Sequence, residues 1–219
     1  DLCVCKGGTM KILVTGFEPF GKDHINPSEE ILKRLPQTIA GHEIVKITIP
    51  VVAYKSLECI RQAVNQYLPD SIVCLGQASG REGITVERVA INVNDFSIPD
   101  NAGIQLCNTP IVEGAPAAYF STLPIYRMVE AIRQKGIRAA ISNTAGTYVC
   151  NHVMYGVLHA YSALGIRAGF VHVPAMDTQV DDPLKDACMT LEEMVNGIEA
   201  MLVVVHEKDI VGKEEGRIA

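Results

Sequence analysis

The stretch Ala139-Ala140-Ile141-Ser142-Asn143-Thr144-Ala145-Gly146-Thr147-Tyr148-Val149-Cys150-Asn151-His152 decides how this chain is read. Its first three residues are the apolar end of a buried strand. Beyond it, Val153, Met154, Val157, Leu158, Tyr161 and Leu164 recur with the spacing of one helix face. The glycine and small hydroxyl residues in between suit a tight turn and a helix N-cap. Cys150 then falls in the first helical turn, just past the end of a central strand. Unpaired N–H groups and the helix dipole favour an anion there, and so a thiolate. In open α/β sheets, ligands bind at that end of the strands. A small buried thiol is the commoner role of any single cysteine, so the nucleophile reading needs partners from elsewhere in the chain.

Working outward, strands and helices alternate. Lys11-Ile12-Leu13-Val14-Thr15-Gly16 is a β-rich run closed by glycine, a first central strand. Phe17-Glu18-Pro19-Phe20-Gly21 follows as a loop, its two phenylalanines either capping the core or lining an apolar pocket. Asn26-Pro27-Ser28-Glu29 opens a helix, with Asn at the N-cap and proline at the first helical position. Residues 43–49 read as a second strand, 54–67 as a helix and 72–76 as a buried third strand. This order predicts an α/β fold, a mainly parallel sheet with helices on both faces.

Gln77-Ala78-Ser79-Gly80-Arg81 is a loop at the same sheet end as residues 17–21. Residues 84–93 are β-prone and contain Glu87, an acid that is costly to bury without a partner. A salt bridge to an arginine or exposure on an edge strand would also account for it; Arg88, next to it, points to the opposite face. Residues 94–118, with Pro99, Gly103, Pro110, Gly114 and Pro116, form a long irregular excursion. A helix over 125–135 and a strand over 137–141 lead back to the opening stretch. Residues 168–174 form another buried strand, 183–187 a loop and 191–205 a final helix.

The chain has 219 residues, enough for one sizeable domain with a real core. Residues 1–9 read as an extension ahead of a natural start at Met10, residues 10–206 as one domain and 207–219 as a polar tail. A net charge of −6 without any basic run argues against nucleic acid and anionic membranes. No apolar stretch approaches the roughly 20 residues of a membrane span. Seven cysteines, an odd number without paired spacing, indicate a reducing compartment rather than a disulfide framework. Cys3-Val4-Cys5 lacks the spacing and histidine partners of a zinc site.

A cysteine nucleophile needs a base, and the base needs an orienting group. His152 lies two positions along the helix from Cys150 and aims elsewhere. His159 is too far along that helix; His24 is a loop residue, and His42 and His206 sit in polar surface contexts. His172 stands near the C-terminal end of the next strand. If that strand is parallel to 137–141, His172 reaches the sheet edge that carries Cys150. Glu87, the one acid in an apolar strand, could then hold the second imidazole N–H. Two other readings stay open. Gly76-Gln77-Ala78-Ser79-Gly80-Arg81 offers glycines and an arginine to a phosphate, although it is neither a G-x-G-x-x-G motif nor a P-loop. Cys150 could instead be a redox sensor, with Cys74 at a strand end as partner.

Several motifs, in order, resemble the pyroglutamyl peptidase I family. They are Val14-Thr15-Gly16-Phe17-Glu18-Pro19-Phe20-Gly21 with Asn26-Pro27, Gly76-Gln77-Ala78 with Gly80-Arg81, and Glu87-Arg88-Val89-Ala90-Ile91-Asn92. Ile98-Pro99-Asp100-Asn101, Ala118 to Pro124, Ser142 to Asn151, and Gly169-Phe170-Val171-His172-Val173-Pro174 complete the set. The resemblance implies an α/β/α sandwich and a cysteine peptidase that removes N-terminal pyroglutamate from peptides. It assigns Cys150 as nucleophile, His172 as base and acid and Glu87 as orienting carboxylate, with Phe17, Phe20, Asn26 and Gln77 around the substrate lactam. It implies no metal or organic cofactor, a cytoplasmic location and a homotetramer. Ser97 stands where many members have arginine, Val86 replaces a common proline, Ser79 a common glycine, and residues 175–179 depart from the usual pattern.

Overall fold

A computed structural model describes residues 8–210. Most of the extension read at 1–9, with Cys3 and Cys5, and most of the tail at 207–219 lie outside the described residues. In chain order the strands are β1 (Lys11–Phe17), β2 (Thr38–Ile39), β3 (His42–Ile49), β4 (Ser71–Gln77), β5 (Ile84–Glu87), β6 (Val89–Ile91), β7 (Ala118–Phe120), β8 (Ala139–Ser142), β9 (Arg167–Val173), β10 (Ala175–Met176) and β11 (Cys188–Met189). The helices are α1 (Pro27–Arg34), α2 (Lys55–Tyr67), α3 (Ile125–Arg133), α4 (Val149–Tyr161) and α5 (Leu191–Val203).

Seven strands form the central sheet in the order β2-β3-β1-β4-β9-β5-β8. Side chains alternate across it and feed two cores. Ile12, Val14, Val73, Leu75, Val171 and Val173 pack with α1, α3 and α5 on one face. Leu13, Phe17, Ile72, Cys74, Ala168 and Phe170 pack with α2 and α4 on the other. The result is the expected α/β/α sandwich, its buried central strands reading as continuous apolar runs.

α1 begins as its sequence dictates. Asn26 is the N-cap, its side chain accepting from the Ser28 N–H, and Pro27 follows. The final helix carries a capping box between Thr190 and Glu193, which satisfies N-terminal donors of α5.

The sheet corrects one expectation. β3, β1, β4 and β9 are parallel, but β5 is antiparallel to β9 and β8 is parallel to β5. The strand leading to Cys150 therefore runs opposite to the strand carrying His172. The cause lies in residues 78–83, a short connection that turns the chain back along β9 instead of crossing over to it. β8 then adopts the direction of β5, and residues 143–148 must return to the sheet edge where β4 and β9 end before α4 starts. The segment read as one strand over 84–93 also breaks at Arg88, whose N–H donates to Ser142 O while its carbonyl accepts from Ser121 N–H. Its second half, β6, pairs with β7 in a separate ribbon that closes the base of the 94–118 excursion.

Candidate active site

Cys150 is the second residue of α4. The N-cap is Tyr148, which supplies no capping hydrogen bond, contrary to the expected small hydroxyl cap. The nearby hydroxyls are used otherwise: Thr147 donates to Asp95 O at 2.8 Å, and Thr144 accepts from the Gly146 N–H at 3.0 Å. Gly146 has φ of 75°, a left-handed conformation that suits glycine and reverses the chain just ahead of the helix. The N-cap residue thus leaves the first turn of α4 without a side-chain cap, at the helix end that favours an anion.

His172 is a ladder partner of Gly76 on one side and of Thr85 on the other. The Cys150 sulfur lies over that same glycine: a Cβ added at Gly76 would sit 3.1 Å from Sγ. Strand register therefore sets thiol and imidazole side by side, although β8 and β9 are antiparallel. The imidazole Nδ1 lies 2.7 Å from Glu87 Oε1. An ionised carboxylate only accepts, so Nδ1 carries the hydrogen and Nε2 keeps a free lone pair.

Glu87 is fully buried. Its Oε1 also takes Arg81 Nη1 at 2.6 Å, while Oε2 has no hydrogen-bond partner among the described residues. Salt bridge and histidine contact, alternatives from sequence, coexist on one oxygen. Arg81 also donates to the Thr85 hydroxyl and, at 3.1 Å, to Thr144 O. Its guanidinium is committed inward, which leaves the phosphate reading of residues 76–81 without its cation.

Burial lowers the His172 imidazole below its ordinary value, against the opposing pull of Glu87. Burial also pushes the Cys150 thiol up to about 12, with Glu87 adding to it and Arg81 opposing. At the thiol, desolvation and a nearby carboxylate thus work against the helix terminus.

The other histidines have separate duties. His152 is fully buried, accepts the Tyr54 N–H on Nε2 at 2.9 Å and contacts Asn94 Oδ1 through Nδ1 at 2.8 Å. His159 meets the Tyr119 hydroxyl at 2.8 Å, and His24 is exposed. His42 and His206 are partly buried rather than on an open polar surface, their rings 5.4 Å apart at the far end of the sheet. Cys74 is not at a strand end but buried in the middle of β4, its thiol pushed up to about 12 by burial. Among the described residues no group of three or more His, Cys, Asp or Glu is placed to hold a metal.

Beside Cys150 opens a small, mostly apolar cavity. Phe17, Phe20, Asn26 and Gln77 all line it, together with Val51, Tyr148 and Val149. The Asn26 carboxamide is largely engaged: Oδ1 takes the Ser28 N–H and hydroxyl, and Nδ2 donates to Glu18 O at 3.1 Å. Gln77 Nε2 donates to Ser79 Oγ at 3.0 Å, and its Oε1 is 3.5 Å from Gln179 Nε2.

Val51 and Tyr148 were not singled out from sequence. Tyr148 packs 6.3 Å from Phe20 and 4.8 Å from Phe96, and its hydroxyl donates to Pro99 O. The 94–118 excursion thus props the pocket. Asn101 reinforces this, donating from its backbone to Val51 O and from its side chain to Glu18 Oε1 and Pro19 O. An aromatic residue directly ahead of the helix that carries Cys150 was the available signal.

The sequence model of the pyroglutamyl peptidase family matches residues 10–208. A pyrrolidone-carboxylate peptidase of Streptococcus pyogenes serotype M12 is 50% identical over 198 residues, covering 90% of this chain and 92% of the relative. The crystal structure of pyroglutamyl peptidase I from Bacillus amyloliquefaciens aligns with a TM-score of 0.88 at 42% identity, over 94% of this chain and 100% of that one. The pyrrolidone carboxyl peptidase of Thermococcus litoralis aligns at 0.89 and 35% identity, again over 94% and 100%. By sequence and by fold, this chain belongs to the pyroglutamyl peptidase family of cysteine peptidases.

Proposed function

We propose that this chain is an exopeptidase that removes N-terminal pyroglutamate from peptides, with Cys150 as nucleophile, His172 as base and acid, and Glu87 as the carboxylate that orients it. The observation carrying this reading is the 2.7 Å contact between Glu87 and His172, on a strand register that sets the imidazole beside the Cys150 sulfur.

The pyroglutamyl ring enters between Phe17, Phe20, Tyr148 and Val51, and Gln77 meets the lactam amide. Cys150 Sγ attacks the carbonyl that joins pyroglutamate to the next residue, as its proton passes to His172 Nε2. The N–H groups at the start of α4 take the developing oxyanion. The imidazolium, stabilised by Glu87, gives its proton to the leaving amine as the C–N bond breaks. Water, deprotonated by His172, then releases pyroglutamate from the thioester and returns the thiol.

The reaction needs neither metal nor organic cofactor. A cytoplasmic location and a homotetramer accompany this reading as proposals from the family resemblance. Among the described residues no helix is long and apolar enough to cross a membrane. The test is hydrolysis of a pyroglutamyl amide by the wild type and Cys150→Ala, with iodoacetamide mapping of Cys150 in the presence and absence of 2-pyrrolidone. Turnover lost with the thiol, and alkylation blocked by the lactam, supports the reading. Full activity in a folded alanine variant ends it.

A further inference from the structure

The Arg81 side chain bridges parts of the site that come from distant stretches of chain. It leaves the loop after β4 and reaches Glu87 Oε1 at 2.6 Å and the Thr85 hydroxyl on β5. Its other terminal nitrogen donates to Thr144 O, in the segment that returns the chain from β8 to the Cys150 helix, at 3.1 Å. The Glu87 oxygen it holds is the one that meets His172, and the second oxygen of that buried carboxylate has no hydrogen-bond partner among the described residues. A buried carboxylate anchored at one oxygen only is free to pivot once a donor is lost. Removing Arg81 would also leave an uncompensated buried charge, which is relieved by drawing a proton onto the imidazole.

We propose that Arg81 is a positioning residue for the reaction: it clamps Glu87 to the turn ahead of the nucleophile and holds His172 as a neutral base. This rests on the assignment of Cys150, His172 and Glu87 given above. Two effects follow. The planar fork spans Glu87 and Thr144 at once, a geometry that lysine cannot reproduce. The positive charge offsets Glu87 as His172 senses it. Without that charge, the carboxylate acts on the imidazole unopposed and favours imidazolium, which cannot accept the thiol proton. The electrostatics of the buried site run the same way, Arg81 lowering His172 and Glu87 raising it.

The test compares wild type, Arg81→Met and Arg81→Lys in pyroglutamyl-amide hydrolysis across pH, with folding followed by circular dichroism. Arg81→Met is expected to lower kcat by about tenfold or more, with KM changed less than about threefold, since no substrate contact is removed. Its acid limb should move to higher pH by about one unit, the low end of what a neighbouring charge does to a pKa. Arg81→Lys should keep the acid limb near that of the wild type while losing part of kcat. A folded Arg81→Met with wild-type kcat and acid limb overturns the proposal, as does a loss confined to KM. Should the methionine variant fail to fold, the lysine variant decides: a wild-type kcat, or an acid limb displaced by a unit, overturns it. An inactive wild type, or an active Cys150→Ala, overturns the parent assignment instead, so the two failures are distinct.

Discussion

Gly76 faces His172 across the β4–β9 ladder, and its missing side chain is the space in which Cys150 keeps its sulfur. A Cβ at Gly76 would lie 2.7 Å from Phe170 Cζ and 3.1 Å from Cys150 Sγ. Real Cβ atoms do not approach an aromatic carbon that closely, so the ring, the thiol or both must shift. Gly76→Ala is expected to fold, because β4 needs no left-handed residue there, yet to lose about 10²-fold or more in kcat/KM, the scale of a misplaced reacting group. Steady-state kinetics beside a thermal melt checks this. Near-wild-type turnover would place the reactive sulfur somewhere other than over β4.

The three histidine and carboxylate positions should separate in kinetics. His172→Ala is expected to cost about 10²–10⁴-fold in turnover, the usual contribution of a positioned acid–base group. Glu87→Gln should cost less, since an amide can still accept from Nδ1 but cannot stabilise the imidazolium. His152→Ala should cost least per folded molecule, because that ring faces Tyr54 and Asn94 and not the pocket. Equal losses at His152 and His172 in folded protein would mean that the base is misassigned.

His152 instead sets an acid limit on stability. Its two ring nitrogens are committed, and burial lowers its pKa from 6.5 to about 4. The unfolded chain therefore binds a proton through this window that the folded chain refuses. Stability contributed by the neutral ring is complete above about pH 6.5 and is lost as pH falls toward 4, by about 3 kcal/mol at most. Denaturant melts from pH 7 to 4 should show this slope in the wild type and a shallower one in His152→Gln. Parallel slopes would show that His152 is not the responsible group.

The sequence already carried the layers and put forward Cys150, His172 and Glu87, because strand–helix alternation and a lone acid in an apolar run are local signals. The direction of β5 and β8 was not legible. It depends on how residues 78–83 turn, and that short loop has no period to read. The surroundings of the Cys150 thiol were equally hidden, since Gly76, Glu87 and Arg81 come near it only once the sheet has formed. Asn26 shows the opposite case. Its N-cap role was plain from Asn-Pro-Ser-Glu, and that role is what occupies most of the carboxamide expected at the lactam.

The last expectation concerns substrate choice. Apart from Cys150, none of the side chains lining the cavity is ionisable near neutral pH: Phe17, Phe20, Val51, Tyr148 and Val149 supply apolar walls, and Gln77 supplies amide chemistry. Compare pyroglutamyl-, prolyl- and glutaminyl-amides with one leaving group. Proline keeps the five-membered ring but lacks the lactam carbonyl and brings an ammonium against phenylalanine, with no counter-charge to receive it. Glutamine keeps a carbonyl but is open-chain and charged, so it adds ordering and desolvation costs. Sites built to hydrogen-bond a substrate reject analogues lacking the group by about 10⁴–10⁵, whereas apolar pockets alone reach about 10–200-fold. A preference of at least roughly 10³-fold in kcat/KM for pyroglutamate over both is therefore expected, and Gln77→Ala should narrow it. Because Asn26 is already engaged, Asn26→Ala should act mainly through stability, with the loss of an N-cap costing about 1 kcal/mol. Prolyl turnover within about tenfold of pyroglutamyl would show that ring shape alone selects the substrate, and would remove Gln77 from recognition while leaving Cys150, His172 and Glu87 in place.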